Sequence, residues 1–346
     1  MRTKRWLLWL AALLAVALLS VAAAGCGGDD EEAGDETGAA ETEEPAGTDI
    51  RVCLITDIGG LNDRGFNSLA NQGLERAASE LGVETRVLES QSDADYVPNL
   101  SECATQGFDL VFSVGFLMGQ ATEDAAGQFP DSTFAIIDFA YEAPGPNLQG
   151  LVFKEQETGY LVGYLAGLVT ETNTVSSVGG EKIPPVDRFI AGYQKAVVDA
   201  NPDANTLLGY SQDFVDQAKC KEVALDQIAK GSDVVFQVAG GCGLGALDAA
   251  AEQGVWGIGV DADQGHLGDH ILTSSLKRVD EAVFQTIEKL VNGETVGGGL
   301  TVFGLAEDGV GLGEVSPDVP QDVLDQVEEQ REKIINGEIE IPEEVQ

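Results

Sequence analysis

The stretch "IRVCLITDIGGLNDRGFNSLANQGLERA", Ile50–Ala77, decides the architecture. It opens on a run of apolar and β-branched residues, the pattern of a strand covered on both faces. It closes on a helical pattern, in which Ala70, Leu74, Ala77 and Leu81 recur at steps of four, three and four before Gly82 ends the segment. Between them lie Asp57, two glycines, an Asn-Asp-Arg-Gly turn and the pair Phe66-Asn67. A loop between strand and helix grips phosphate, carries a catalytic group or forms a pocket wall, and its residues have to distinguish these roles.

The same alternation continues along the chain. "TRVLES", "DLVFSVG", "TFAIIDF", "LQGLVF", "TVSSVGG", "TLLGYS", "DVVFQVAG", "VWGIGVD" and "HILTSSL" read as further strands separated by helical stretches. Such order implies right-handed βαβ crossovers and doubly wound parallel sheets, an α/β fold. The run "YLVGYLAGLV", Tyr160–Val169, is too short to span a membrane and reads as a buried core helix. From Ile50 onward roughly 300 residues remain, more than one hydrophobic core usually serves, so two lobes are expected.

The N-terminus reads separately. Arg2, Lys4 and Arg5 precede an apolar run from Trp6 to Ala24, which ends on Gly25 and Cys26. This is the layout of a secretory signal over residues 1–25, with Cys26 placed for lipidation as the first mature residue. An uncleaved anchor and ordinary signal-peptidase cleavage are the alternatives. Residues 26–49 are Gly, Ala, Thr and acid with no base, so they are expected to form a disordered tether.

The formal net charge is −40, and only 19 Lys and Arg are spread along the chain. Clustered cations are needed to bind polyanions by counterion release, so nucleic acid is disfavoured as a partner. Besides Cys26 there are Cys53, Cys103, Cys220 and Cys242. In an exported protein four cysteines permit three disulfide connectivities. Their spacing suggests one pair per lobe, Cys53 with Cys103 and Cys220 with Cys242, with four buried free thiols as the alternative.

In parallel sheets ligands bind beyond the carboxyl ends of strands, and that is where the chemistry concentrates. Asp57, Gly115, Phe116, Asp138, Asp261 and the pair Lys277-Arg278 follow strands, and Phe236 lies on one. The loop "AGGCGLGALDAA" matches neither a dinucleotide fingerprint nor a Walker A loop. His266 and His270 share one polar loop and no nucleophile motif accompanies them, so neither catalysis nor a metal site is expected. Carboxylates at Asp57, Asp138 and Asp261 only accept hydrogen bonds and repel phosphate, favouring a ligand rich in O–H and N–H donors. Phe66 and Phe236 offer flat faces, Asn67 both donates and accepts, and Lys277 is a single cation. This set suits a neutral, planar, hydroxyl-bearing ligand such as a nucleoside, with a sugar next.

The segments "DIGGLNDRGFN", "DLVFSVGFLM", "FAIID", "LVFKEQETGYLVGYLAGL", "VDRFIAGYQKAV", "DVVFQVAGGCGLGALDAA", "IGVDADQ", "ILTSSLKRVDEAV" and "INGEIEIP" occur in this order from Ile50 to Pro342. Together they resemble the basic membrane protein family of ABC-transporter substrate-binding lipoproteins, whose members include purine nucleoside receptors. The resemblance implies a type I periplasmic-binding fold, with two doubly wound lobes joined by a multi-strand hinge. Lobe 1 is expected over 50–153 plus about 273–300, and lobe 2 over 154–272 plus about 301–346. By resemblance Asp57 and Asn67 contact the base, Phe66 and Phe236 stack on it, Asp138 and Asp261 accept ribose hydroxyls, and Lys277 is the basic contact from the far lobe. It further implies a monomeric, non-enzymatic receptor without cofactor, held to the outside of the cell membrane by its lipid. The partners would be a nucleoside, an ABC permease and its ATPase. A receptor for a sugar or other solute, or a ligand-sensing surface lipoprotein without a transporter, are the rival readings.

Overall fold

The computed structural model describes residues 48–345. The expected signal, the lipidation site Cys26 and the tether up to residue 47 lie outside the described residues.

The near lobe is built from β1 (Arg51–Thr56), α1 (Phe66–Leu81), β2 (Glu84–Glu89), α2 (Tyr96–Thr105), β3 (Leu110–Val114), α3 (Gly119–Gln128), β4 (Thr133–Ile137) and β5 (Leu148–Phe153). The chain then crosses into α4 (Glu155–Val169), β6 (Thr174–Gly179), α5 (Pro184–Ala200), β7 (Asn205–Tyr210) and α6 (Gln217–Ala229) of the far lobe. That lobe continues through β8 (Val234–Val238), α7 (Gly240–Gln253), β9 (Trp256–Asp261) and β10 (Ile271–Lys277). The last elements are α8 (Val279–Val291), β11 (Gly299–Phe303), β12 (Val310–Leu312) and α9 (Gln321–Ile335).

Two six-stranded sheets result, ordered β11-β5-β4-β3-β1-β2 and β12-β10-β9-β8-β6-β7. All neighbours are parallel except β12, which runs antiparallel to β10. All ten strands read from the sequence are present; β11 and β12 are additional. Both lie at sheet edges, and β11 follows two glycines, starts on a third and leaves Leu300 and Val302 exposed, so neither carries the continuous apolar run of a central strand. In each sheet the order reverses once, between β1 and β3 and between β6 and β8. The carboxyl ends of the strands flanking these points face one another across the cleft.

The hinge has three chain crossings, after β5, after β10 and after β11. They are bonded together: the Lys154 amide donates to the Phe303 carbonyl at 2.9 Å and the Arg278 amide to the Gly309 carbonyl at 2.8 Å. Since β10 pairs with β9 and β12, the crossing expected near residue 273 falls at Arg278. Since β11 pairs with β5 through Phe303, the one expected near residue 300 falls after Phe303.

The run "YLVGYLAGLV" lies in α4 and is buried against α5. Gly159, Gly163 and Gly167 make this close approach possible. A methyl at Gly159 would sit 2.2 Å from the Phe189 carbonyl, and one at Gly163 would sit 2.4 Å from that of Tyr193. Small residues four apart on one helix face let two backbones meet. No helix of the described residues is long and apolar enough to cross a membrane. Each lobe holds one disulfide: Cys53 on β1 pairs with Cys103 on α2, and Cys220 on α6 with Cys242 on α7.

Candidate functional site

The loop after β1 is shaped by Asp63, a residue the sequence reading passed over. One Asp63 oxygen accepts the amides of Gly65 and Ser68, each at 3.1 Å. The other accepts the amide of Asn67 at 2.6 Å and its side-chain Nδ2 at 3.1 Å. These are the free N–H groups at the start of α1, so Asp63 does the work of an N-cap from just upstream of the helix. Asn67 Nδ2 also donates to Asp57 Oδ1 at 2.9 Å, and the Gly59 amide donates to the same oxygen at 2.9 Å. Asp57 Oδ2 has no protein donor among the described residues. Gly115, with φ of +122°, lets that oxygen lie against the end of β3, since a methyl there would be 2.6 Å from it. Replacing Asp63 with Ala is expected to destabilise the protein by about 2 kcal/mol through the lost cap and the unpaired amides. Urea unfolding of Asp63→Ala would measure it, and a change below ~0.5 kcal/mol would remove Asp63 from this role.

Asp138 follows β4 and Asp261 ends β9, and both take left-handed backbone, φ +74° and +64°. Aspartate tolerates this region better than most residues because its short side chain bonds locally. Lys277, at the end of β10 beside Asp261 and across the cleft from Asp138, is 1% exposed. Its Nζ lies 2.6 and 2.7 Å from the two oxygens of Asp138, with hydrogen-bond geometry on Oδ2, and 2.9 Å from Glu155 Oε1. The second Glu155 oxygen accepts from Arg188 Nε at 2.6 Å. This ionic chain joins the near lobe, the hinge and the far lobe. The Lys277 ammonium also lies 5.1, 4.9 and 5.7 Å from the ring centres of Phe66, Phe153 and Phe189.

Burial acts on all these charges. It pushes the Asp57 carboxyl from 3.8 up to about 6, against the hydrogen bonds from Asn67 and Gly59. It pushes Asp261 up to about 7, with Lys277 pulling the other way. Burial alone would lower Lys277, but the carboxylates of Asp138, Glu155 and Asp261 outweigh it and hold the ammonium above the ordinary lysine range. Asp261 has no hydrogen-bond donor among the described residues.

The lobes are closed on each other. A methyl at Gly65 would be 3.6 Å from Asp261 Oδ2, and one at Gly241 would be 3.6 Å from the Asp63 Cα. Between them lies a cleft that residues of both lobes line. Asp57, Phe66, Asn67, Asp138, Asp261 and Lys277 all line it. Phe236 does not. It lies on the same face of β8 as Val238, which lines the cleft, but two residues further from the strand's carboxyl end, and it is fully buried. Its ring packs 6.3 Å from that of Phe189 and 5.2 Å from that of Tyr193. The flat faces of the far lobe are Phe189 and Phe214, so Phe236 supports a wall instead of forming it. Phe189 is disguised by sitting in a helix of core periodicity. Phe214, in the polar turn "SQDFVD", carries the same signal that singles out Phe66. His266 and His270 do not line the cleft, and no cluster of three or more metal-ligating side chains occurs among the described residues.

Comparison with known proteins agrees with this geometry. A family described as ABC transporter substrate-binding protein PnrA-like (Bmp) matches residues 50–345. A CD4+ T-cell-stimulating antigen of Listeria innocua is 35% identical over 93% of this chain and 94% of its own. The ABC transporter nucleoside-binding protein BmpA of Lactococcus lactis is 32% identical, with 96% and 98% covered. Among solved structures, an ABC transporter solute-binding protein from Aeropyrum pernix K1 superposes with a TM-score of 0.78 at 30% identity, covering 84% of this chain and 92% of its own. Two parallel-sheet lobes around a central cleft are the type I periplasmic-binding fold. The chain belongs to the Bmp family of ABC transporter substrate-binding proteins, which bind a solute and are not enzymes.

Proposed function

We propose that the solute is a nucleoside, with a purine as its base, delivered to the permease of an ABC importer. The observation that carries this reading is the pair of unoccupied acceptors on opposite walls, Asp57 Oδ2 on the near lobe and the Asp261 carboxylate on the far lobe. Both residues are more than nine-tenths buried, so water reaches these acceptors poorly and a ligand that brings N–H or O–H groups to both ends is favoured. Between those ends stand the aromatic faces of Phe66, Phe189 and Phe214, which suit a flat ring. A base edge at Asp57 and ribose hydroxyls at Asp261 meet both demands in one molecule. Asp138 serves through Lys277, which it orients toward the ligand. The relative from Lactococcus lactis named as nucleoside-binding supports the same class. Residues of one chain line both walls of the cleft, which supports reading the receptor as a monomer. Lipidation at Cys26 would tether it to the outer face of the membrane.

Mass spectrometry of small molecules released on denaturing the purified protein identifies the ligand directly, and a thermal-shift panel of nucleosides and sugars ranks the classes. A response to sugars with none to nucleosides would overturn the nucleoside reading. Asp261→Ala is expected to keep the fold and weaken nucleoside binding by about 2–3 kcal/mol, the worth of a buried hydrogen bond to a charged group. Unchanged affinity by calorimetry would sink the role given to Asp261.

A further inference from the structure

The two disulfides stand in different relations to the cleft. Cys53–Cys103 joins β1 to α2, and no residue of α2 lines the cavity. Cys220–Cys242 joins the first turns of α6 and α7, with the Cα atoms 5.6 Å apart. Those two helix starts flank Phe214, which precedes α6 in the loop leaving β7. The Cys242 amide donates to the Phe214 carbonyl at 2.9 Å. Just before Cys242, Gly240 takes a φ of +54°, and methyls at Gly240 and at Gly241 would each sit 3.5 Å from that carbonyl. Gly241 is also the residue that meets Asp63 of the opposite lobe. The loop itself is drawn together by Asp213, which accepts the amides of Val215 and Asp216 at 2.7 and 2.9 Å. Phe214, Gly240 and Gly241 all line the cavity. One covalent link therefore closes a ring around the part of the far lobe that faces both the ligand and the near lobe.

We propose that the Cys220–Cys242 bridge is a positioning element of the ligand site. It holds Phe214 and the Gly240–Gly241 turn in the geometry that meets ligand on one side and Asp63 on the other. Cys53–Cys103 only stabilises its lobe. A wall held by a bridge needs no reordering when ligand arrives, so removing the bridge adds an ordering cost to binding as well as to folding. The inference rests on the reading that the cleft takes a nucleoside.

The test compares Cys220→Ala/Cys242→Ala with Cys53→Ala/Cys103→Ala, titrating each with guanosine by calorimetry. Both pairs are expected to lower Tm, but the far-lobe pair alone weakens binding, by about tenfold, while the near-lobe pair stays within about twofold. Adding Phe214→Ala to the far-lobe pair should cost less than it does in the intact protein, because the two changes disrupt one wall. Equal effects of the two disulfides on affinity, or full additivity with Phe214→Ala, would overturn the proposal. If Cys220→Ala/Cys242→Ala does not fold, Cys220→Val/Cys242→Ala restores the lost volume for the same titration. If the wild type binds neither guanosine nor any other nucleoside of the panel, the nucleoside reading fails by itself. The bridge is then judged by deuterium exchange at residues 211–216 and 240–245, expected to quicken about tenfold without it. Unchanged exchange there would overturn the proposal in its turn.

Discussion

Lys277→Met is expected to lower stability by about 3–5 kcal/mol at pH 8, the usual loss when one partner of a buried ion pair is removed. Methionine nearly matches the volume of the side chain, so the effect is electrostatic. It leaves the Asp138 carboxylate with no cation and Glu155 with only Arg188, both out of water. In the wild type the raised Lys277 pKa means its contribution is fully present below about 10.5 and is lost only as pH climbs above that value. The ammonium's own contribution is thus constant across the physiological range. In the variant the orphaned carboxylates gain by binding protons, so the deficit should shrink toward pH 5. Urea unfolding at pH 8 and at pH 5 measures both quantities. A loss under about 1 kcal/mol, or one equal at the two pH values, would show that the network is not held by this ammonium.

A second large effect concerns closure. Burial raises Asp57 from 3.8 to about 6 and Asp261 to about 7. A group whose pKa is raised in the closed state favours that state fully below its open-state value. The advantage is lost as pH rises through the closed-state value, here over about pH 4 to 6 for Asp57 and 4 to 7 for Asp261. Above that window both buried carboxylates are charged, and the part of their burial that closure causes disfavours an empty closed cleft. The unliganded protein escapes the penalty by opening, whereas a ligand with N–H and O–H donors offsets it and keeps the lobes together. Small-angle scattering should therefore show the ligand-free radius of gyration rising between pH 5 and pH 8. In Asp57→Asn/Asp261→Asn the charges are gone, and the radius should stay small at both. A wild-type radius that does not change with pH would refute this account of how empty closure is disfavoured.

The legible and illegible parts of the site divide by distance along the chain. The loop from Asp57 to Asn67 was readable because a turn between a strand and a helix concentrates its purpose in eleven neighbouring residues. Asp138, Asp261 and Lys277 were readable as polar residues at the ends of apolar strands, where the sheet itself projects them into the cleft. Phe236 was misplaced because strand period assigns a face but not a depth, and depth depends on how far the strand extends beyond its neighbours. Phe189 was hidden because a helix reads the same whether its apolar face meets core or cavity.

By itself, then, the sequence determined the alternation of strands and helices, the two lobes and the stock of acceptors and rings at strand ends, since these follow from local periodicity and residue chemistry. Only the tertiary structure decided that Asp138 pairs with Lys277, that Asp57 Oδ2 and the Asp261 carboxylate are left without donors, and that Phe189 and Phe214 form the far wall. Those outcomes depend on which groups from distant parts of the chain come within hydrogen-bonding range once two sheets close on each other. That range is a few ångströms, and spacing along a sequence does not specify it.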